Sequence, residues 1–143
     1  MCIMQAIVAQ PNCGMMMGMQ YPTPIVYGIR TCDTVKKARQ WLSAQGIEHQ
    51  FHDFKLQGVP EQRLDQWLTT VGWQALLNRQ GTTWRKLDAA SQAVVQDSAS
   101  ARAVILANPS VIKRPVVEWD GTASGRVSVG FAATAWLALR RVA

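Results

Sequence analysis

Hydrophobic positions in residues 25–54 follow a strand pattern, then a helix pattern, then a strand pattern again. Residues 25–29 are a short apolar run rich in β-forming side chains, which is typical of a buried strand. From Asp33 the apolar positions recur at the spacing of one helix face, and Gly46 then ends the pattern. The residues of this face are Val35, Ala38, Trp41 and Leu42. Alternation over residues 47–54 predicts a second strand, parallel to the first and joined to it by a right-handed crossover.

The middle of the chain has the pattern of short helices. Pro60 stands at a helix start, and the inward face of that helix is predicted to be Leu64, Trp67, Leu68 and Val71. Residues 73–78 fit one or two further turns, and residues 81–83 a loop. Residues 93–107 fit one or two more helices that stop at Asn108.

The strand pattern returns near the end of the chain. Residues 116–119 and 126–129 flank a turn at Asp120-Gly121, which predicts a hairpin, and residues 132–142 have helical spacing. The fold class is therefore α/β, with a small mixed sheet flanked by helices and an all-helical insertion at about residues 57–110. This order of elements is that of a thioredoxin-like fold, formed by one domain over residues 23–143.

The first 22 residues differ from this domain because they are rich in methionine and contain no Lys, Arg, Asp or Glu. They lack the basic start and the uninterrupted apolar core of a signal peptide. No stretch of the chain approaches the roughly 20 apolar residues of a membrane span. We expect residues 1–22 to be a poorly ordered extension, an upstream translation start or an addition to the natural chain.

Composition and cysteine usage favour a reducing compartment, and we expect the protein in the cytoplasm. The 143 residues are 48% apolar and 17% charged, which is enough for an ordinary hydrophobic core. Three cysteines are too few for a secreted disulfide scaffold, and none has zinc-ligand spacing. His49 and His52 would point to opposite faces of a strand, so we expect no metal site.

The net charge of +6 raises the question of nucleic-acid binding. The basic residues are scattered along the chain and are not interleaved with aromatic residues, which favours a solvated surface. We therefore expect no nucleic-acid partner. Anion binding by a few of the arginines is the alternative function for these charges.

Cys32 stands between the first strand and the first helix and is the candidate nucleophile. Main-chain N–H groups and the helix dipole favour a thiolate at such a position. Arg30 adds positive potential, Asp33 partly opposes it, and Thr31 or Thr34 can hydrogen-bond to the sulfur or to the first turn. The alternative is a cysteine that is a small buried apolar side chain, and the position alone leaves both hypotheses open.

Two other segments carry groups suited to anion binding. Arg114 precedes Pro115 at the start of a predicted strand, where an arginine is either an anion ligand or a surface charge. Residues 78–85, which begin with Asn78 and Arg79, concentrate hydrogen-bond donors in one segment of the insertion. The alternative for this segment is an ordinary polar loop.

Several motifs together resemble the ArsC/Spx superfamily, and specifically its YffB-type branch. These motifs are residues 27–38 (Tyr27 to Ala38), 51–54 (Phe51 to Phe54), 75–87 (Ala75 to Leu87) and 112–115 (Ile112 to Pro115), with Gly130-Phe131. The resemblance runs from about Pro24 to the end of the chain. It implies a thioredoxin-like fold with a helical insertion, a nucleophilic Cys32 and a cis Arg114–Pro115 bond.

The resemblance also implies a substrate class. In the arsenate reductases of the superfamily a cysteine attacks arsenate, arginines hold the oxyanion, and glutathione and glutaredoxin resolve the adduct. Arg114 matches one of those arginines, whereas the other two positions hold Asn78, next to Arg79, and Gly130. Without two of the three guanidinium groups, an oxyanion would lose charge-assisted hydrogen bonds. This disfavours arsenate and favours the activity proposed for the YffB-type branch, glutathione-dependent thiol reduction.

For this activity we expect a monomer with glutathione as cosubstrate, no bound cofactor, and a small oxyanion or disulfide as substrate. The residues implied in substrate or glutathione binding are Arg30, Thr31, Asp33, Thr34, Asn78, Arg79, Arg114 and Pro115. Arg114 or Arg79 would meet a glutathione carboxylate. Thr31 replaces the asparagine that is usual in the family.

Two alternative functions follow from the same resemblance. The first is a glutaredoxin-coupled arsenate reductase. The second, of a different class, is an Spx-like regulator that binds RNA polymerase and senses oxidation through a CxxC pair. Val35 occupies the second position of that pair, which excludes an intramolecular disulfide switch there but leaves polymerase binding open.

Overall fold

The computed structural model describes residues 23–122 and 125–141, which form a four-stranded mixed sheet with helices on both faces. The strands are β1 (Ile25–Gly28), β2 (Gln50–Asp53), β3 (Val116–Glu118) and β4 (Val127–Val129). Their order across the sheet is β2-β1-β3-β4. The β1–β2 pair is parallel, and the β1–β3 and β3–β4 pairs are antiparallel. The predicted parallel pair and the predicted hairpin are both confirmed. The predicted extension, residues 1–22, lies outside the described residues.

One long helix and one C-terminal helix flank a series of short helices. Helix α1 (Asp33–Ala44) connects β1 to β2, and α8 (Ala133–Arg141) follows β4. Between β2 and β3 lie α2 (Phe54–Gln57), α3 (Glu61–Thr70), α4 (Trp73–Leu76), α5 (Thr82–Lys86), α6 (Ala89–Ala93), α7 (Ser98–Ala107) and a 3₁₀ turn (Pro109–Val111). In the part of the chain described, no helix combines the length and the apolar content needed to cross a bilayer.

Some element boundaries differ from the sequence prediction. The predicted loop at residues 81–83 is wrong, because Gly81 caps α5 and the helix begins at Thr82. Glycine and threonine are frequent at helix starts as well as in loops, and burial of Trp84 stabilises the helical alternative. The first of the helices predicted from residue 93 begins earlier, at Ala89, since the Asp88 carboxylate accepts a hydrogen bond from the Ser91 N–H at 2.7 Å.

Alternation along the central strands places apolar side chains on both faces of the sheet. Val26 and Val117 pack with Leu42 of α1 and Trp136 of α8 on one face. Tyr27 and Val116 pack on the other face with the helices between β2 and β3; this cluster includes Phe54, Leu64, Trp67 and Ile105. The sheet is therefore covered on both sides.

A fully buried carboxylate, that of Glu118 on β3, lies on the face covered by the short helices. It accepts hydrogen bonds from the Tyr27 hydroxyl at 2.9 Å, the Trp67 Nε1–H at 2.8 Å and the Arg63 guanidinium at 2.7 Å. Burial and the hydrogen bond to the Glu118 carboxylate raise the pKa of Tyr27 above its usual range. These bonds join β1, β3 and α3 at one point.

The strand directions bring four chain segments to one edge of the sheet. Because β1 and β2 are parallel and β3 runs antiparallel to β1, the ends of β1 and β2 lie beside the start of β3. Strand β4, antiparallel to β3, ends at the same edge. The residues beyond these strand ends include Cys32, Asp53, Arg114 and Gly130, and we call this side of the molecule the Cys32 edge.

Candidate active site at Cys32

Cys32 is the N-cap residue of α1, with extended backbone angles φ −73° and ψ 126°. Its carbonyl accepts the Lys36 N–H at 2.9 Å and its own N–H donates to the Ile29 carbonyl at 3.0 Å, which fixes the turn before the helix. A Cβ at Gly28 would stand 2.7 Å from Cγ2 of Val35. A glycine is therefore required where β1 passes under the first turn of α1.

The Cys32 thiol is partly buried and its pKa is lowered from the ordinary value. Burial of the sulfur raises this pKa, but four favourable interactions outweigh it. The Val35 and Thr34 main-chain N–H groups lower this pKa, and the Arg114 guanidinium lowers it through both hydrogen bonding and charge. Each of these interactions stabilises the thiolate over the thiol.

Arg114 is held in place by main-chain carbonyls from the segment before it. Its Nη1 donates to the Ser110 carbonyl at 2.7 Å and to the Ile112 carbonyl at 3.2 Å. Its Nε is buried and has no hydrogen-bond partner among the described residues. The cation is thus fixed beside the sulfur with a donor left unused, and buried donors ordinarily find an acceptor.

The Arg114–Pro115 peptide bond is cis, as the family resemblance implied. Pro115 precedes β3, and its carbonyl accepts the Gly130 N–H at 2.9 Å. The structure therefore assembles Cys32, the Thr34 main chain, Arg114 and Pro115 at the Cys32 edge.

The side chains nearest to Cys32 in sequence face solvent. Thr31 and Thr34 are exposed. The predicted hydrogen bond from a Thr31 or Thr34 hydroxyl to the sulfur or to the first turn stays a prediction. Asp33 is exposed in the first turn of α1, and Arg30 is exposed with its main-chain N–H directed at Asp53.

Asn78 and Arg79 lie in the helical insertion beside the segment that leads to Arg114. Asn78 N–H donates to the Val111 carbonyl at 2.8 Å, and Asn78 Oδ1 accepts the Gln80 N–H at 3.2 Å. The Arg79 guanidinium lies over the Trp73 ring, 5.5 Å from its centroid. The Arg79 guanidinium is therefore placed against Trp73 of α4, and its role in glutathione binding stays a prediction.

Sequence analysis missed Asp53 as a site residue. Its buried carboxylate accepts the Arg30 N–H at 3.3 Å and the Lys55 N–H at 2.8 Å, so it caps α2 and also holds the chain before Cys32. The signal was an aspartate two residues before an amide that needs an acceptor. The alternating pattern predicts a strand over residues 47–54, so Asp53 was assigned to that strand and its role as a helix cap was not predicted.

No metal centre is formed by the residues that the structure describes, since no three His, Cys, Asp or Glu side chains come together. His49 Nε2 lies 3.4 Å from Arg39 Nε, and burial lowers the pKa of this histidine. His52 Nε2 lies 2.7 Å from the Gly58 carbonyl oxygen. The two histidine rings therefore contact different groups.

Comparison with known proteins places these features in a family. The model described as the ArsC family matches residues 27–139. A solved structure of a protein named YFFB is 46% identical, with a TM-score of 0.74, and the match covers 82% of this chain and 98% of that one. The match confirms the thioredoxin-like fold with a helical insertion.

Two further relatives have similar identity. An arsenate reductase (ArsC) related protein from Brucella melitensis is 47% identical, with a TM-score of 0.65, over 85% of this chain and 97% of that one. A protein of Haemophilus influenzae described as uncharacterized is 45% identical over 98 residues, which are 68% of this chain and 85% of that protein.

Proposed function

Because this chain belongs to the ArsC family, we propose that it is a glutathione-dependent thiol reductase with Cys32 as its nucleophile. The observation that carries the proposal is the Cys32 sulfur at a helix N-cap, with its pKa lowered by main-chain amides and by Arg114. A partly exposed thiolate in an electropositive setting is the arrangement that makes a cysteine reactive.

The proposed cycle uses one cysteine. The Cys32 thiolate attacks a glutathione mixed disulfide, a Cys32–glutathione disulfide forms, and the substrate leaves as a thiolate that takes up a proton. A glutathione thiolate then attacks the glutathione sulfur of that disulfide, which releases oxidised glutathione and regenerates the Cys32 thiolate. One disulfide is reduced and one glutathione disulfide is formed, so electrons balance.

A single-cysteine cycle agrees with the residues around the sulfur. Cys32 is the only cysteine in the described part of the chain. Val35, where a CxxC motif would place a second thiol, is fully buried. An external thiol is therefore needed to release the adduct, and glutathione supplies it in this proposal.

In this cycle Arg114 stabilises charge at sulfur and positions an anionic substrate. Its guanidinium lowers the pKa of Cys32 and is fixed by two carbonyls, while its Nε has no acceptor. Arg79 is the weaker candidate for a glutathione carboxylate, because its guanidinium lies over Trp73.

The test is glutathione-dependent reduction of a small mixed disulfide by wild type and by Cys32→Ser. We expect the variant to show only the uncatalysed rate, because its hydroxyl does not form a thiolate. A double variant, Cys2→Ser with Cys13→Ser, removes the other two thiols and is expected to keep full activity. Activity retained by Cys32→Ser would refute the proposal.

Arsenate is a second candidate substrate, favoured by the Arg114 guanidinium, which acts on the Cys32 sulfur and has a buried Nε without an acceptor. An oxyanion accepts hydrogen bonds from such a donor. The absence of arginine at positions 78 and 130 argues for the disulfide substrate. Arsenate added to the same assay in place of the disulfide, with glutaredoxin present, separates the two: the favoured function predicts the higher kcat/KM for the disulfide.

A further inference from the structure

A second cation, Lys113, lies at the Cys32 edge and has no role in the cycle above. Its main-chain N–H donates to the Leu76 carbonyl at 2.8 Å, which fixes the backbone, and its side chain is exposed. A Cβ at Gly130 would stand 3.3 Å from Cε of Lys113, so the lysine chain passes closely over this glycine. Gly130 has φ +85°, a conformation that excludes most side chains and leaves this space open.

The charge of Lys113 is not neutralised by the protein. In the structure as described, neither Lys113 nor Arg114 forms an ion pair. The buried carboxylate at this edge, Asp53, is occupied by the main-chain N–H groups of Arg30 and Lys55. Two neighbouring residues therefore present positive charge at this edge without an ion pair to a described carboxylate.

The distance between the Lys113 position and the Cys32 position suits a bifunctional ligand. Gly130 is hydrogen-bonded to Pro115, and β3 in turn pairs with β1, the strand that leads to Cys32. Two strand spacings separate Gly130 from the end of β1, which is about 10 Å. A tripeptide thiol such as glutathione carries its carboxylates several bonds from its sulfur, and can reach both places.

We propose that Lys113 binds the glycine carboxylate of glutathione while the glutathione sulfur meets Cys32. This inference rests on the proposed function and adds a specificity-determining residue to it. Arg114 acts at the sulfur, and Lys113 acts at a carboxylate remote from the sulfur. The site then favours thiols and disulfides that carry a distant carboxylate over neutral ones.

The experiment uses two probes that differ only in that carboxylate, oxidised glutathione and its ester blocked at both glycine carboxylates. Mass spectrometry follows the single exchange step, in which the Cys32 thiolate forms a mixed disulfide and one glutathione thiolate leaves. We expect wild type to react about fivefold faster with the unblocked probe, the ratio given by about 1 kcal/mol from an exposed ion pair.

The variants are Lys113→Met, which keeps the aliphatic chain over Gly130, and Lys113→Arg, which keeps the charge. Lys113→Met is expected to abolish the preference for the unblocked probe, and Lys113→Arg to retain it. Lys86→Ala, which removes an exposed lysine of α5, is the matched control and should behave as wild type. An undiminished preference in Lys113→Met, or equal rates for both probes in wild type, would overturn the inference.

This test and the test of the proposed function fail in different ways. The exchange step requires only a reactive Cys32, whereas the reductase assay requires complete turnover. Exchange with a Lys113-dependent preference but no turnover would refute the reductase function alone. Turnover that depends on Cys32 but not on Lys113 would refute the role of Lys113 alone.

Discussion

The sulfur of Cys32 lies where two independent sources of positive potential meet, the N–H groups that open α1 and the guanidinium of Arg114. The amides come from the cysteine's own helix and are present wherever that helix forms. Arg114 comes from a position 82 residues further along the chain and depends on the fold. Substitutions can therefore separate the local contribution from the tertiary one.

Arg114→Ala is expected to raise the pKa of Cys32, because it removes a contact and a charge that favour the thiolate while burial still opposes it. The pH dependence of alkylation by iodoacetamide measures this pKa, and its midpoint should move to higher pH. Arg79→Ala, whose guanidinium lies over Trp73, should leave the midpoint unchanged. A midpoint unaltered by Arg114→Ala would show that the amides act alone.

At the level of elements, Asp53 connects two of them. It ends β2, caps α2 through Lys55 and accepts the Arg30 N–H from the chain that leads into α1. The Asp53 side chain is buried, so its bond to the Arg30 N–H helps to set where the Cys32 turn lies relative to β2.

Asp53→Ala should therefore reduce both stability and Cys32 reactivity. Loss of the cap is expected to lower the free energy of unfolding by about 1 kcal/mol, measured by urea denaturation. The Arg30 N–H also loses its acceptor, so alkylation of Cys32 at fixed pH should slow. Asp88→Ala removes a cap of α6 away from the Cys32 turn; it should destabilise without changing alkylation, and equal alkylation rates in both variants would contradict the positioning role.

Local pattern was sufficient for β1, α1 and the hairpin, because Val35, Ala38 and Leu42 keep helical spacing and all three are buried. The hydrophobic pattern does not predict features that depend on a tertiary contact or on a single capping hydrogen bond. Helices α2 and α6 depend on Asp53 and Asp88, whose capping bonds leave no periodic trace. Nothing local brings Arg114 to Cys32, and family resemblance supplied that pairing.

For the molecule as a whole, the bonds around Glu118 join the helical insertion to the sheet. A buried carboxylate costs free energy unless it is fully hydrogen-bonded, and here Tyr27, Trp67 and Arg63 supply the donors. The strand pattern of residues 116–119 gave no sign of this network, since its partners lie far away in sequence. Arg114 precedes β3 and Glu118 is its last residue, so the same strand contacts both the insertion and the Cys32 edge.

Glu118→Ala is expected to lower the free energy of unfolding by about 3 kcal/mol, because it leaves buried donors without an acceptor and Arg63 without its partner. Urea denaturation measures the change. Glu61→Ala breaks an exposed ion pair with Arg102 and is the control, with no change beyond experimental error expected. A similar decrease in the free energy of unfolding in the two variants would show that the buried network is no more stabilising than the exposed ion pair.

The most direct measurement for the account as a whole is the titration of Cys32 in the native protein with Cys2 and Cys13 replaced by serine. The rate of iodoacetamide alkylation is followed against pH. Because the folded protein favours the thiolate, the rate should reach half its maximum below the free-thiol value of about 8.5, and the midpoint should return to that value in urea. A native midpoint at or above the unfolded one would contradict the account.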